Sequence, residues 1–120
     1  MAYKSFEDLE VWKRSRNVAI QVYKKLRNCH EYSLRDQMNR SAVSIASNIA
    51  EGAERDSKLE YRHYLHIAKG SAGELRTQLS IAQEIGIIKK DDAITFIAEL
   101  KEISSMLHGL VKSLNNQLKT

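Results

Sequence analysis

Apolar residues recur along this chain at spacings of three and four, in four segments separated by short polar breaks, a pattern that predicts four helices. The first spans about Phe6 to Asn28, opened by Ser5 with Asp8 three residues on as a capping-box-like pair. At 100° per residue, Val11, Trp12, Ser15, Val18, Ala19, Val22, Tyr23 and Leu26 share an arc of about 140°, wide enough for more than one neighbour. The second runs from Leu34 to Ala53 behind Ser33 and Asp36, with Leu34, Met38, Ala42, Ile45 and Ile49 as its core stripe. Between Gln37 and Ala50 its only charged residue is Arg40; the other polar positions are Asn39, Ser41, Ser44, Ser47 and Asn48. Ser and Asn are indifferent helix formers, so their use here implies close packing on several sides, by a central position or by contact with another subunit.

The third helix starts at Ser57 with Glu60 and stops at Gly86, a good residue for the left-handed turn past a helix end. Tyr61, Tyr64, Leu65, Ala68, Ser71, Ala72, Leu75, Leu79 and Ala82 form its core arc. Gly70 and Gly73 lie mid-helix, where each costs about 1 kcal/mol relative to Ala, and a tight helix crossing is the expected reason. The fourth starts at Asp91 backed by Asp92, and Phe96, Leu100, Ile103, Leu107, Leu110 and Leu114 give it a heptad seam. Helices of roughly 20 to 28 residues are about 30 to 42 Å long. Matched lengths and short links predict an all-α, antiparallel up-down-up-down four-helix bundle, one domain over residues 1–120.

Composition narrows this further. The chain has 120 residues, no proline and 7% aromatics, which argues against a β-sandwich. Cys29, the only cysteine, rules out an internal disulfide and suits a reducing cytoplasm. No apolar run approaches the roughly 20 residues that cross a bilayer, and Lys4, Glu7, Asp8 and Glu10 interrupt any signal-peptide core, so the expectation is a soluble cytoplasmic protein without a membrane partner. A net charge of +4 admits a polyanionic partner, diluted by 15 acidic residues.

Phe6, Leu9, Val11 and Trp12, then Tyr32, Ser33, Leu34 and Gln37, then the run Ser-Ile-Ala-Ser-Asn-Ile-Ala-Glu-Gly from Ser44 to Gly52, then Gly70, Ser71, Glu74 and Leu75, follow one another along the chain. Together they resemble the four-helix-bundle proteins named for 23S rRNA intervening sequences. The resemblance implies a left-handed up-and-down bundle that assembles as a homopentameric ring. It also implies kinship with the accessory variability proteins of diversity-generating retroelements, basic pentamers that bind nucleic acid and a reverse transcriptase. Where the family often has a proline in the first link, this chain reads Asn28-Cys29-His30-Glu31.

The spacing places one basic stripe on the third helix. Lys58, Arg62, His66, Lys69 and Arg76 recur at four, four, three and seven, with Gly73 in the gap, on the face opposite the core arc. Lys58 to Arg76 is a rise of roughly 27 Å, enough to follow several phosphates of RNA or DNA. Glu84 closes the stripe with the opposite sign; Lys13, Arg14, Arg16, Lys24, Lys25 and Arg27 on the first helix add to the positive field, and a ring would multiply it. An ordinary solvated face is the alternative. A second set pairs Asn48 and Glu51 with Ser71 and Glu74, each at i, i+3 on facing helices. It reads as a hydrogen-bond network with Arg40 that fixes helix register, or as a carboxyl acting as acid or base, with no nucleophile or oxyanion donor evident beside it.

Other chemistry is thinly supported. Glu60-Tyr61-Arg62-His63 has the Glu-x-x-His spacing of di-iron bundles, with Glu51 or Glu74 as further carboxylates, but the second such motif is missing; His63 and His66 stand at i, i+3. Nothing orients His30 as a base for Cys29, and no phosphate-cradling glycine loop is present. Trp12, Tyr23, Tyr61 and Tyr64 are expected in the core, and Tyr3 and Tyr32 at subunit contacts. The expectation is a non-enzymatic protein without metal or cofactor, either a nucleic-acid-binding accessory factor or a protein-protein adaptor that never touches nucleic acid.

Overall fold

A computed structural model describes residues 5–119. Its regular structure is helical throughout, with no strand among the described residues. A 3-10 turn, Phe6–Asp8, precedes four helices: α1 (Glu10–Lys25), α2 (Tyr32–Ala53), α3 (Lys58–Glu84) and α4 (Lys90–Leu118). Tyr3, expected at a subunit contact, lies outside the described residues. The whole is a rod of 50 × 24 × 21 Å.

Each helix packs on the next and α4 closes on α1, while the diagonal pairs α1–α3 and α2–α4 do not meet backbone to backbone. The α2–α3 seam is the most extensive and the α1–α4 seam the least. Met38, Ile45, Leu65, Leu75, Leu100 and Leu107 are fully buried along the shared axis, as the apolar spacing of α2, α3 and α4 requires. The buried Ser15 hydroxyl donates to the Val11 carbonyl at 2.7 Å, which satisfies it inside the core. Among the described residues no helix is long and apolar enough to cross a membrane.

The two ends of α3 follow the sequence pattern. Ser57 Oγ accepts the Glu60 backbone N–H at 3.3 Å. Gly86 takes φ +81°, its N–H reaches the Gln83 carbonyl at 3.2 Å, and the Ile87 N–H reaches Ala82 at 2.8 Å, the paired bonds of a Schellman end. The other starts differ. Ser5 caps the 3-10 turn by accepting from Glu7 N–H at 3.2 Å, and Leu9, extended at φ −73° and ψ 126°, separates that turn from α1. The break brings Phe6 edge-on against Trp12, with ring centroids 5.3 Å apart. A continuous helix would hold those two residues about 9 Å apart along its axis.

At the far end α1 stops at Lys25, three residues before the expected Asn28. Glu31, rather than Ser33, stands at the N-cap of α2, and Ser33 lies inside the first turn. Lys89 caps α4, so Asp91 and Asp92 sit in its first turn, where carboxylates complement the positive helix end. Asp92 also pairs with Lys25 Nζ at 3.2 Å, tying the start of α4 to the end of α1.

Two core expectations change. Tyr23 is 51% exposed, because the groove beside the last turns of α1 leaves its ring uncovered. Gly70 and Gly73 are not at a crossing: a Cβ at Gly70 would meet nothing within 4 Å, and one at Gly73 only Arg76 Nη2 at 4.0 Å. The close approach is at Gly52, whose added Cβ would stand 2.8 Å from Tyr64 Cβ, 3.0 Å from the Tyr61 ring and 3.1 Å from its carbonyl oxygen.

Candidate nucleic-acid interface

A helix of 27 residues, α3 carries the basic stripe not opposite its core arc, as the spacing suggests, but along the flank where Arg62 and Arg76 meet α4. Lys58 and His66 are exposed, and Arg62, Lys69 and Arg76 are half-buried. Arg62 Nη1 donates to Asn115 Oδ1 on α4 at 2.7 Å, which orients its guanidinium without neutralising it. Among the described residues none of Lys58, Arg62, Lys69 and Arg76 makes an ion pair. The ion pairs between described residues lie elsewhere: Arg14 with Glu99, Lys25 with Asp92, Arg35 with Asp36, and Arg55 with Glu51.

Between Arg76 and α4 lies a notch of about 440 Å³, lined by Gly73, Arg76, Thr77, Ser80 and Ile81 and, from α4, Ile97 and Lys101. Arg76 Nε is buried there with no hydrogen-bond partner. A guanidinium N–H removed from water without an acceptor is costly, and an anion in the notch would supply one. Two cations of like sign, Arg76 and Lys101, therefore line one concavity, floored by a glycine that lets a ligand approach the helix backbone. Lys101 is absent from the stripe read off the sequence. Its place immediately after the core residue Leu100 marks it as flanking, but a single helical wheel does not say which neighbour lies on that side.

The second polar set is only partly assembled. Ser44 Oγ and Ser71 Oγ share a hydrogen bond of 2.9 Å across the α2–α3 seam, and Asn48 Nδ2 donates to the Ser44 carbonyl at 2.8 Å and to its hydroxyl at 2.9 Å. Asn48 and Ser71 thus meet through Ser44, a residue that the i, i+3 pairing passed over. Glu51 points away and pairs with Arg55 one turn on, and Arg55 also donates to Tyr64 Oη at 2.9 Å with its guanidinium carbon 5.0 Å over that ring. The hydrogen bond to Glu51 is the main cause that raises the Arg55 pKa further. Glu74 is exposed on the outer side of α3, and Arg40 is exposed on α2, lining the groove toward α1. Neither makes a hydrogen bond to the serines among the described residues, although each stands one helical turn from one of them.

The remaining candidates stay apart. His63 and His66 are exposed, and among the described residues no three His, Cys, Asp or Glu side chains gather where they could hold a metal ion. Cys29 is a free, half-buried thiol, and the His30 ring beside it shares a hydrogen bond of 3.1 Å with Tyr32 Oη. Of the aromatics expected in the core, Trp12 and Tyr61 pack against it half-buried, and burial raises the Tyr61 phenol pKa above its ordinary value.

With this geometry in place, the comparisons with known proteins are informative. The sequence pattern of the 23S rRNA-intervening sequence protein family matches residues 7–109. The chain is also similar to a crystal structure from Bacteroides thetaiotaomicron, a protein with unknown function from the S23 ribosomal protein family. The two share 25% identity at a TM-score of 0.80, over 85% of this chain and 98% of that one. No curated protein matches the chain.

Proposed function

The chain belongs to the 23S rRNA-intervening sequence protein family, and from that premise we propose that it is a non-enzymatic, oligomeric accessory protein that binds RNA or DNA through the α3 flank. The observation that carries this reading is the row Lys58, Arg62, Lys69 and Arg76, four cations along one flank with no acidic partner among the described residues. Charges left unpaired on a helix face retain their counterion atmosphere, and release of those counterions and of the polymer's own drives association with phosphate backbones.

The assembly belongs to the same proposal. The helices run antiparallel, up-down-up-down, a reading supported by paired levels such as Arg14 with Glu99 and Lys25 with Asp92, or Arg62 with Asn115 and Arg76 beside Lys101. Left-handed winding, a homopentamer and kinship with the accessory proteins of retroelements are what the family resemblance implies, and the single Cys29 suits a cytoplasmic setting. A ring would repeat the basic flank fivefold, which makes a modest +4 per chain effective. The test is direct titration of RNA and DNA oligonucleotides with the wild type and with Lys58→Glu, Arg62→Glu and Arg76→Glu combined. The triple variant is expected to fold and to bind far more weakly; equal affinity would remove the α3 flank as the binding surface. A protein-binding adaptor is the second reading, favoured by the groove between α1 and α2.

A further inference from the structure

Packing within the chain accounts for the buried Ser41 and the hydrogen-bonded Ser44 and Asn48 of α2, but not for its outer face. From Gln37 to Ala50 only Arg40 is charged; α2 packs on α1, α3 and the Phe6–Asp8 turn, and Arg40, Val43 and Ser47 stay exposed to solvent. Val43 on that face is 42% exposed. A solvated face normally carries long charged side chains, so one built from Ser, Asn, Val and a single Arg has the character of a covered surface.

Beside this face, between the last turns of α1 and the first half of α2, lies a groove of about 760 Å³. Tyr23 and Val43 give it exposed apolar walls, and Arg27, Arg35 and Arg40 line it with three guanidinium groups. Arg35 is occupied: it pairs with Asp36 at 3.1 Å and lies 4.8 Å over the Tyr32 ring. Arg27 and Arg40 make no ion pair among the described residues. Asn39 Oδ1, also on the groove wall, is buried and accepts no hydrogen bond.

These groups ask for three different things of one occupant. Arg27 and Arg40, both exposed, offer anion sites, since Asp36 on the same groove wall is held by Arg35, and the planar guanidinium suits a carboxylate bidentately. Tyr23 and Val43 require an apolar side chain. The buried carbonyl oxygen of Asn39 requires an N–H donor, which a polypeptide offers at nearly every residue and a phosphodiester backbone does not offer at all. Tyrosine and arginine around a central apolar patch is also the composition of energetically dominant protein contacts. We propose that the α1–α2 groove docks an acidic, amphipathic segment of a partner protein, with its carboxylates on Arg27 and Arg40, an apolar side chain between Tyr23 and Val43, and a backbone N–H on Asn39. The surface is distinct from the α3 flank, so the chain can join a protein to a nucleic acid.

The test uses the full chain, a synthetic amphipathic peptide of glutamate and leucine, and the same peptide with lysine in place of glutamate. Fluorescence anisotropy is expected to show saturable binding of the acidic peptide alone. Arg40→Glu with Val43→Asp should weaken it by about tenfold or more, in line with loss of an interface anchor, while circular dichroism shows the fold intact. Val43→Ala, which adds no charge, should weaken it less and guards against a folding artefact. Failure of the acidic peptide to bind, or equal binding of the lysine peptide, overturns the proposal. So does a double variant that changes the oligomer mass, which assigns the groove to a second copy of the chain. A double variant that lowers oligonucleotide affinity as much as the α3 triple variant also overturns it, and assigns the groove to phosphate.

Discussion

Toward α2, the third helix closes so tightly that a Cβ on Gly52 would sit 2.8 Å from Tyr64 Cβ; toward solvent, a Cβ on its own Gly70 would touch nothing within 4 Å. The same residue type serves opposite ends on the two sides of one helix. At Gly52 the missing side chain lets two backbones approach, and the seam beside it is extensive and hydrogen-bonded through Ser44, Ser71 and Asn48. Among the described residues nothing occupies the space at Gly70 and Gly73, the neighbouring cations make no ion pair, and a buried guanidinium nitrogen lacks an acceptor. The comparison separates a seam that holds the protein together from a flank that the proposed function assigns to a ligand outside the chain.

The largest stability effect should come from the closed side. Gly52→Ala is expected to destabilise by about 1–3 kcal/mol, because Tyr64 Cβ and the Tyr61 carbonyl are rigid neighbours that cannot simply rotate away. A thermal melt equal to the wild type would mean that the seam is looser than described. Next, Ser44→Ala should cost on the order of 1 kcal/mol, since it leaves the Ser71 hydroxyl without its partner at a buried site.

On the open side the sign reverses. Gly70→Ala and Gly73→Ala should each raise stability by about 0.5–1 kcal/mol, the gain in helix propensity with no clash to offset it. Denaturant midpoints that fall would erase the contrast between the two flanks. The smallest effect concerns pH. Burial raises the Tyr61 phenol above its ordinary 10.0, so the folded chain keeps a proton that the unfolded chain releases. Stability is therefore unaffected below pH 10 and declines as pH rises beyond it, and Tyr61→Phe should flatten that decline.

Much of the closed side is legible in the sequence, because periodicity reports which residues of one helix face inward. The core stripes of α2, α3 and α4 and both ends of α3 follow from spacing and from Ser57, Glu60 and Gly86. Helix starts that depend on tertiary contacts do not: Ser5 is a good cap, yet Phe6 turning back on Trp12 ends its helix after one turn. Relations between helices are equally hidden. Ser44 escaped notice because its partner Ser71 depends on the register between α2 and α3, and Lys101 because its nearness to Arg76 depends on which side α4 presents to α3. Glycine is ambiguous for the same reason, since a sequence shows that a side chain is missing and not what stands in the space.

The most direct measurement of the central claim is the salt dependence of oligonucleotide binding to the intact assembly. Each phosphate contact by a cation contributes about 0.9 to the slope of log K against log salt for duplex DNA. The wild type should therefore show a steep negative slope, shallower by about 3 in the Lys58→Glu, Arg62→Glu and Arg76→Glu variant. A wild-type slope near zero, or one that the three substitutions leave unchanged, would contradict the assignment of nucleic-acid binding to the open flank of α3.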